Sequence, residues 1–300
     1  MKRLFIIYNP RSSRYSDVKE DIIKDLKDLK GYIIGKYEID ETDVDQNVAK
    51  FTKILKDGDT VVAAGGDATG VIAVNAILKS EKDVTLAVLP YGNFNDLACT
   101  LGTKKFEEVL NKPAQKFYPL EIHVDDSFFR YATCYVTIGM MAEAVKLYDE
   151  PKMRKILKTK RGRDVGSYTN LARWYFKNRH KKVFLPDFKL NGNLQPKKSS
   201  DYAAVNGKYM ARVMKGGEDY KNPKIFRSEV DRLTNFWRLF KLMLKSILVR
   251  VPGSKTDGDT IEFLNPATVK IQAEGEYQTF KDVKKVEIKK GKKCLKVITA

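Results

Sequence analysis

The chain has 300 residues, 43% of them hydrophobic, and its 56 basic and 38 acidic residues give a net charge of +18. This size predicts a globular protein with a large core and two domains. No apolar run approaches the ~18 residues that span a bilayer, and the run in MKRLFIIYNP is too short for a signal peptide. We therefore expect a soluble, cytoplasmic protein.

The cysteines and histidines argue against several kinds of site. Cys99, Cys134 and Cys294 are odd in number and far apart, which disfavours a disulfide framework and a CxxC metal site. His123 and His180 are the only histidines, which disfavours a histidine zinc site and a Ser-His-Asp triad. Any catalysis must therefore rely on carboxylates, amides and the backbone, with or without a bound metal ion.

The charge is concentrated in the second part of the chain. Residues 1–118 hold 18 basic and 18 acidic residues, so 38 basic and 20 acidic residues lie beyond them. Such an excess attracts an anionic partner, which could be nucleic acid, a phospholipid surface or a phosphorylated substrate. The plainer alternative is a generally basic, soluble surface.

The first part of the chain alternates predicted strands and helices. Apolar runs predict strands at 4–9, 32–39, 59–64 and 84–90, and helical spacing predicts helices at 17–29, near 46–56 and from about Thr69. This order predicts an α/β fold whose N-terminal domain, residues 1–119, is a Rossmann-like parallel sheet. Ligands of such sheets bind outside the carboxyl ends of the strands.

Unusual residues follow three of these strands. They are Asn9-Pro10, then Gly65-Gly66-Asp67, and then the loop from Tyr91 to Asp96. Glycines at such turns allow positive φ and close approach of backbone amides to a phosphate at a helix start. Asp67 among phosphates suggests Mg²⁺, although it could equally well cap the helix.

Four motifs, in order, resemble the diacylglycerol kinase catalytic domain family of lipid kinases. GGDATG (65–70) resembles its GGDGT signature, and LPYGNFNDLA (89–98) resembles its P-x-G-T-x-N-D-x-A loop. FIIYNPRSSR (5–14) resembles its N-P-x-S-G-K segment, and IQAEGE (271–276) its Q-x-D-G-E. The resemblance implies a nucleotide domain that binds ATP and Mg²⁺, and a β-rich domain beside a cleft that admits a lipid substrate.

This resemblance assigns roles to particular residues. Glu276 is expected to be the base on the lipid hydroxyl, supported by Glu274. Asp67 and Asp96 are expected to organise the nucleotide and the metal, and Asp67 is the residue that would bind the metal. The expected cofactor-binding residues are Asn9, Arg14, Gly65, Gly66, Ala68, Thr69, Gly92 and Asn95.

The second part, residues 120–300, is predicted to be a basic β-sandwich domain for the lipid, because it contains many strand-like runs separated by Asn-Gly turns. Its last strand could return to the first domain. The segment 152–163 has seven basic residues and no acid, and 232–250 also has no acid and predicts a basic amphipathic helix. That helix could lie on an anionic membrane, making the protein peripheral there, or pack on the sandwich with a solvated basic edge.

Several departures from the family pattern keep alternatives open. Ala68 replaces a glycine, Val71 and Ile72 replace an Asn-Glu pair, and Asn93 replaces a threonine. Besides an ATP-dependent lipid kinase, the sequence is therefore compatible with a weakened relative that binds nucleotide or lipid as a regulator. An NAD kinase and a nucleic-acid-binding protein are disfavoured. A homodimer, the lipid and the nucleotide preference are left open.

Overall fold

The computed structural model describes residues 2–299 except 13, 24–25, 27–28, 41–42, 158, 179–184, 196–198, 213, 216–219, 222 and 232–234. The chain divides into two compact units, one of Met1–Pro119 with Lys292–Ala300 and one of Leu120–Gly291. The last strand, which the sequence left between the two domains, is thus grouped with the first unit.

The first unit contains a six-stranded sheet, ordered β2-β1-β3-β4-β18-β5, in which all neighbours are parallel except β18 and β5. Buried aliphatic runs such as Thr60–Gly65 form its central strands, as expected of a sheet covered on both faces. The strands are β1 (Lys2–Tyr8), β2 (Tyr32–Glu38), β3 (Thr60–Gly65), β4 (Thr85–Pro90), β5 (Ala114–Phe117) and β18 (Leu295–Ile298).

Helices connect these strands, as predicted. They are α1 (Tyr15–Val18), α2 (Val44–Ile54), α3 (Asp67–Ser80), α4 (Asp96–Leu101) and α5 (Phe106–Asn111). The single helix predicted at 17–29 is instead α1 followed by a π-helical turn at Lys19–Ile23, and residues 24–25 and 27–28 lie outside the described part.

The second unit is built on a ten-stranded sheet whose recorded pairings are all antiparallel. Its main order is β15-β14-β11-β8-β16-β17-β6-β7, with β9 beside β16 and β10 beside β9, while β12 and β13 pair separately. The strands are β6 (Leu120–Val124), β7 (Ser127–Ala132), β8 (Tyr135–Gly139), β9 (Phe188–Leu190), β10 (Asn193–Leu194), β11 (Ser199–Val205), β12 (Tyr209–Met210), β13 (Met214–Lys215), β14 (Ile225–Asp231), β15 (Ser254–Thr256), β16 (Gly258–Ala273) and β17 (Glu276–Lys290).

Strands from across this sheet contribute to one hydrophobic core. The long pair β16 and β17 changes register between Glu262 and Val269. Side chains from distant strands, such as Ile122 of β6 and Tyr202 of β11, share one hydrophobic cluster. Shifts of register bend a sheet, which allows its two ends to face the same core. The predicted combination of a parallel-sheet domain and an antiparallel β-rich domain is confirmed.

Helices form a second layer of this unit, and the sequence predicted only one of them. They are α6 (Met140–Ala144), α7 (Pro151–Leu157), α8 (Lys160–Asn178) and α9 (Phe236–Leu248). Within the basic segment 152–163, residues 152–157 lie in α7 and 160–163 begin α8, with Thr159 in a bend between them. Residue 158 is outside the described part, as are 232–234 before α9. No helix in the described ranges is long and apolar enough to cross a membrane.

Candidate active site

The carboxyl ends of the parallel strands meet at one edge of the first sheet. Tyr8 of β1 pairs with Ala64 of β3, and Ala64 pairs with Leu89 of β4, so the three strands end at nearly the same level. The loops that follow them therefore leave the same edge, as the sequence predicted. This edge is the candidate site of the first unit.

The glycines at this edge allow two loops to touch. A Cβ on Gly92 would lie 2.2 Å from Cα of Gly66, and a Cβ on Gly65 would lie 2.3 Å from Oγ1 of the buried Thr69. None of Gly65, Gly66 and Gly92 has positive φ, and φ of Gly66 is −90°. The positive φ that glycine allows is therefore not used at these turns. Their glycines are required because backbone and side chains pack where a Cβ would be.

Asp67 joins two of the loops. It is the first residue of α3, and its carboxylate accepts hydrogen bonds from the backbone amides of Asn95 (3.0 Å) and Asp96 (2.7 Å), at the start of α4. Burial raises the pKa of Asp67 to about 6, although these amides act in the opposite direction. Asp67 thus caps a helix, as one alternative predicted, but the capped helix is α4. The amides of Leu97 and of Asp67 itself also lower this pKa, so a cation would have to compete with backbone donors for the carboxylate oxygens.

The side chain of Asn95 determines the shape of the third loop. Its Oδ1 accepts from the amide of Gly92 (2.7 Å) and its Nδ2 donates to the carbonyl of Gly92 (3.0 Å). Asn95 itself has φ of 61°, a conformation that asparagine tolerates better than most residues. Asp96 is fully buried at the start of α4. These two residues therefore hold the loop in place behind the surface of the site.

Arg14 links the loop after β1 to the end of β4. Its Nη1 donates to the carbonyl of Pro90 (2.7 Å), and its Nε lies 2.6 Å from Asp17 Oδ2. Its guanidinium lies 5.5 Å from the ring centre of Tyr91, whose hydroxyl donates to Asp21 (3.1 Å). Burial and the nearby Asp21 raise the pKa of Tyr91. A third of the Arg14 side chain remains exposed, so it could also contact an anion.

The remaining residues predicted at this edge belong to a turn and to the first turn of a helix. Asn9 Oδ1 accepts from the amide of Arg11 (2.9 Å), which forms the turn after β1. Ala68 lies in the first turn of α3, with no positive φ. The sequence missed the roles of Tyr91, Asp17 and Asp21, although an aromatic residue directly after a strand end was a usable signal.

The two carboxylates that the sequence predicted as a pair in the second unit lie in different environments. Glu274 and Gly275 have φ of 51° and 92° and form the turn between β16 and β17. Glu274 is buried, and its Oε1 accepts from Thr133 Oγ1 (2.5 Å) and from the amide of Cys134. Glu276 begins β17 and is half-buried. Glu274 is therefore an anchor for the turn, and Glu276 is the more accessible carboxylate.

A row of buried polar side chains leads to this turn along β16. Lys270 Nζ donates to Glu143 Oε1 (2.9 Å), and Gln272 accepts from Thr137 (2.8 Å). Burial lowers the pKa of Lys270, while Glu143 opposes the shift. The alternation K-I-Q-A-E at 270–274 could have indicated this row, because alternate residues of a strand share a face.

Metal binding at these sites would need help from the substrate. Among the described residues there is no group of three or more His, Cys, Asp or Glu side chains that could hold a metal ion. Mg²⁺ is commonly bound by one or two carboxylates together with substrate phosphates and water. The single carboxylate of Asp67, with its raised pKa, fits that kind of site.

Solved structures share the fold of the whole chain. A crystal structure of a diacylglycerol kinase from Bacillus anthracis str. Sterne has a TM-score of 0.67 and 16% sequence identity, with coverage of 100% of this chain and 97% of that chain. A second structure from the same strain has a TM-score of 0.65 and 16% identity, with coverage of 100% and 98%. At such identities the likeness shows a common fold.

The sequence comparisons concern the first part of the chain. Residues 3–117 match the family model of the diacylglycerol kinase catalytic domain. A Bacillus subtilis (strain 168) protein named diacylglycerol kinase is 34% identical over 112 residues, which cover 37% of this chain and 36% of that protein. The match thus spans just over a third of the relative's length. The resemblance predicted from the motifs is confirmed for residues 3–117.

Proposed function

We propose that this chain is an ATP- and Mg²⁺-dependent lipid kinase that transfers the γ-phosphoryl group to the hydroxyl of a diacylglycerol-like lipid. The observation that carries the proposal is Asp67. Its carboxylate lies where the strand-end loops meet, within the stretch that matches the kinase family. Phosphoryl transfer needs such a site, because it depends on positioning and on neutralising phosphate charge.

The first unit supplies the nucleotide site in this proposal. The amides at the start of the 14-residue helix α3 face the strand-end edge, where a helix start favours phosphate. Arg14 offers a partly exposed guanidinium. Asp67 would hold Mg²⁺, which neutralises phosphate charge when bound. The amides of Asn95 and Asp96 keep the Asp67 carboxylate oriented for that role.

The second unit supplies the lipid site and the base. Glu276 would accept the proton of the lipid hydroxyl, while Glu274 fixes the turn that carries it. A small cavity of about 20 Å³ in this unit, with a mostly apolar lining, would have to widen before an acyl chain could enter it. Five methionines line it, at positions 140, 141, 210, 214 and 243. Flexible methionines adapt to apolar ligands of irregular shape.

The geometry of Ala68 removes one reason to expect a weakened relative. Ala68 lies in the first turn of a regular helix, so its methyl group introduces no backbone strain. The replacement of the family's glycine at this position is therefore compatible with an intact site.

A labelled-ATP assay with vesicles that contain diacylglycerol, a sphingoid base or phosphatidylglycerol tests the proposal. We expect label in one of these lipids, dependent on Mg²⁺. Binding of ATP without labelling of any lipid would refute the kinase and favour the regulatory relative.

The base is tested by Glu276→Gln with the exposed Glu262→Gln as a matched control. A positioned base contributes ~10²–10⁴-fold to a rate. Glu276→Gln should therefore lose most of the turnover with little change in Mg²⁺-ATP affinity, whereas Glu262→Gln should keep the turnover of the parent. Equal activity of the two variants would show that Glu276 is not the base.

A further inference from the structure

Helix α9 presents three distinct faces. Leu239 and Ser246 are buried against the rest of the unit. A second face is apolar and exposed, with exposed fractions of 68% for Trp237, 42% for Phe240, 44% for Leu244, 42% for Ile247 and 65% for Leu248. At 3.6 residues per turn these five residues fall within an arc of about 100°. The third face, next to it, carries Arg238, Lys241 and Lys245, all exposed.

The apolar face continues onto the neighbouring helix. The ring centres of Phe176 of α8 and Phe236 lie 5.0 Å apart, and those of Trp237 and Phe240 lie 5.9 Å apart. Phe176 is itself 50% exposed. The helix thus packs on the rest of its unit with its basic residues in solvent, as one alternative predicted, but it also leaves a second, apolar face uncovered. An exposed apolar patch of this kind marks an interaction site.

Charge identifies the partner. The segment 235–250 contains four basic residues and no acid, and the net positive charge of the whole chain arises beyond residue 118. A second copy of the same face would bring like charges together, whereas anionic lipid headgroups would complement them. Aromatic side chains beside lysines are typical of helices that lie in a membrane interface.

We infer that α9 docks the protein on the surface of an anionic bilayer. The helix, about 20 Å long, lies along the interface with the five exposed apolar residues inserted at the headgroup level. The lysines of the adjacent face contact anionic headgroups. This inference does not depend on the proposed kinase activity, because docking requires neither nucleotide nor turnover.

Fluorescence of the unmodified chain is the first test. Trp237 is exposed on the docking face, whereas Trp174 is buried in the helical layer, so only Trp237 should respond to lipid. We expect a blue shift, and quenching by brominated acyl chains, with phosphatidylcholine–phosphatidylglycerol vesicles in the absence of nucleotide. Emission that stays unchanged when such vesicles are added would overturn the inference.

Co-sedimentation of variants with the same vesicles tests the apolar contact. Phe240→Ser with Leu244→Ser should weaken binding by at least about ten-fold, because two apolar side chains no longer enter the interface. The pair Leu194→Ser with Leu264→Ser is the control, since both leucines are exposed on strands. Melting temperatures should stay unchanged. Equal vesicle binding by the two pairs, or an altered oligomeric state of the α9 pair alone, would refute bilayer docking.

The charge contribution has its own control. Lys241→Gln with Lys245→Gln should weaken binding to anionic vesicles by about five-fold per lysine, and added salt should remove the difference. Lys281→Gln with Lys284→Gln removes the same charge from exposed positions on β17. If both pairs weakened binding equally, the attraction would come from overall charge and the assignment to α9 would be wrong.

Discussion

Asp67→Asn should change the pH dependence of stability in a direction that the structure fixes. Burial raises the pKa of Asp67 from its ordinary value of 3.8 to about 6. A carboxyl group with a raised pKa favours folding while it is protonated, and this contribution is lost as the pH rises through about 6. The ionised form of Asp67 therefore destabilises the ligand-free protein at neutral pH, and asparagine removes that effect.

The magnitude follows from the two pKa values. Linkage between about pH 4.5 and 7.5 gives a change of about 2 kcal/mol in the unfolding free energy of the parent. Asparagine still accepts from one of the two α4 amides, so the loss of the other hydrogen bond lowers the unfolding free energy of the variant by about 1 kcal/mol at every pH. Because this cost does not depend on pH, the difference in unfolding free energy between variant and parent should shift by about 2 kcal/mol in favour of the variant across this pH range.

Urea denaturation at several pH values, with a chelator present, measures this difference. The exposed Asp282→Asn is the control for the loss of one negative charge. Mg²⁺-ATP should stabilise the parent at pH 7.5 and have a much smaller effect on Asp67→Asn, because the cation offsets the buried charge. A stability difference independent of pH, or equal stabilisation of both proteins by Mg²⁺-ATP, would refute the role given to Asp67.

Three further predictions concern packing. Gly92→Ala should destabilise the first unit by roughly 1–3 kcal/mol and weaken nucleotide binding, because its Cβ would lie 2.2 Å from the facing loop; an unchanged denaturation midpoint would contradict this. Glu274→Ala and Thr133→Val should show a coupling energy of about 0.5–3 kcal/mol in a double-mutant cycle, and strict additivity would deny their bond. Leu239→Ala should lower the unfolding free energy by about 2–5 kcal/mol and Phe240→Ala by less than about 0.5 kcal/mol. If calorimetry showed the larger loss for Phe240→Ala, the assignment of the buried and exposed faces of α9 would be contradicted.

The sequence was sufficient to predict the four parallel strands β1 to β4 of the first sheet and the meeting of their loops, but not β5. Apolar runs as regular as that at Thr60–Gly65 form strands with little ambiguity, and parallel strands must end at a common edge. The role of the glycines could not be predicted, because it depends on a contact between loops 26 residues apart in the chain. The partners of Asp67 were missed for the same reason, since they lie on a different helix.

The second unit shows a different limit. Its basic segment 152–163 was interpreted by charge alone, although residues 152–157 lie in α7 and 160–163 begin α8. The orientation of α9 also required the structure. A helical wheel separates apolar from basic residues, but it does not reveal that the helix packs through Leu239 and leaves Phe240 in solvent.

Parallel assays with α-labelled and γ-labelled ATP on vesicles of the three lipid kinds test the proposed function most directly. If the chain transfers the terminal phosphoryl group, γ-label appears in the lipid, α-label does not, and Asp67→Asn abolishes the Mg²⁺-dependent transfer. If neither label reaches diacylglycerol, a sphingoid base or phosphatidylglycerol, or if γ-label is transferred equally by the parent and by Asp67→Asn, the function proposed for this site is contradicted.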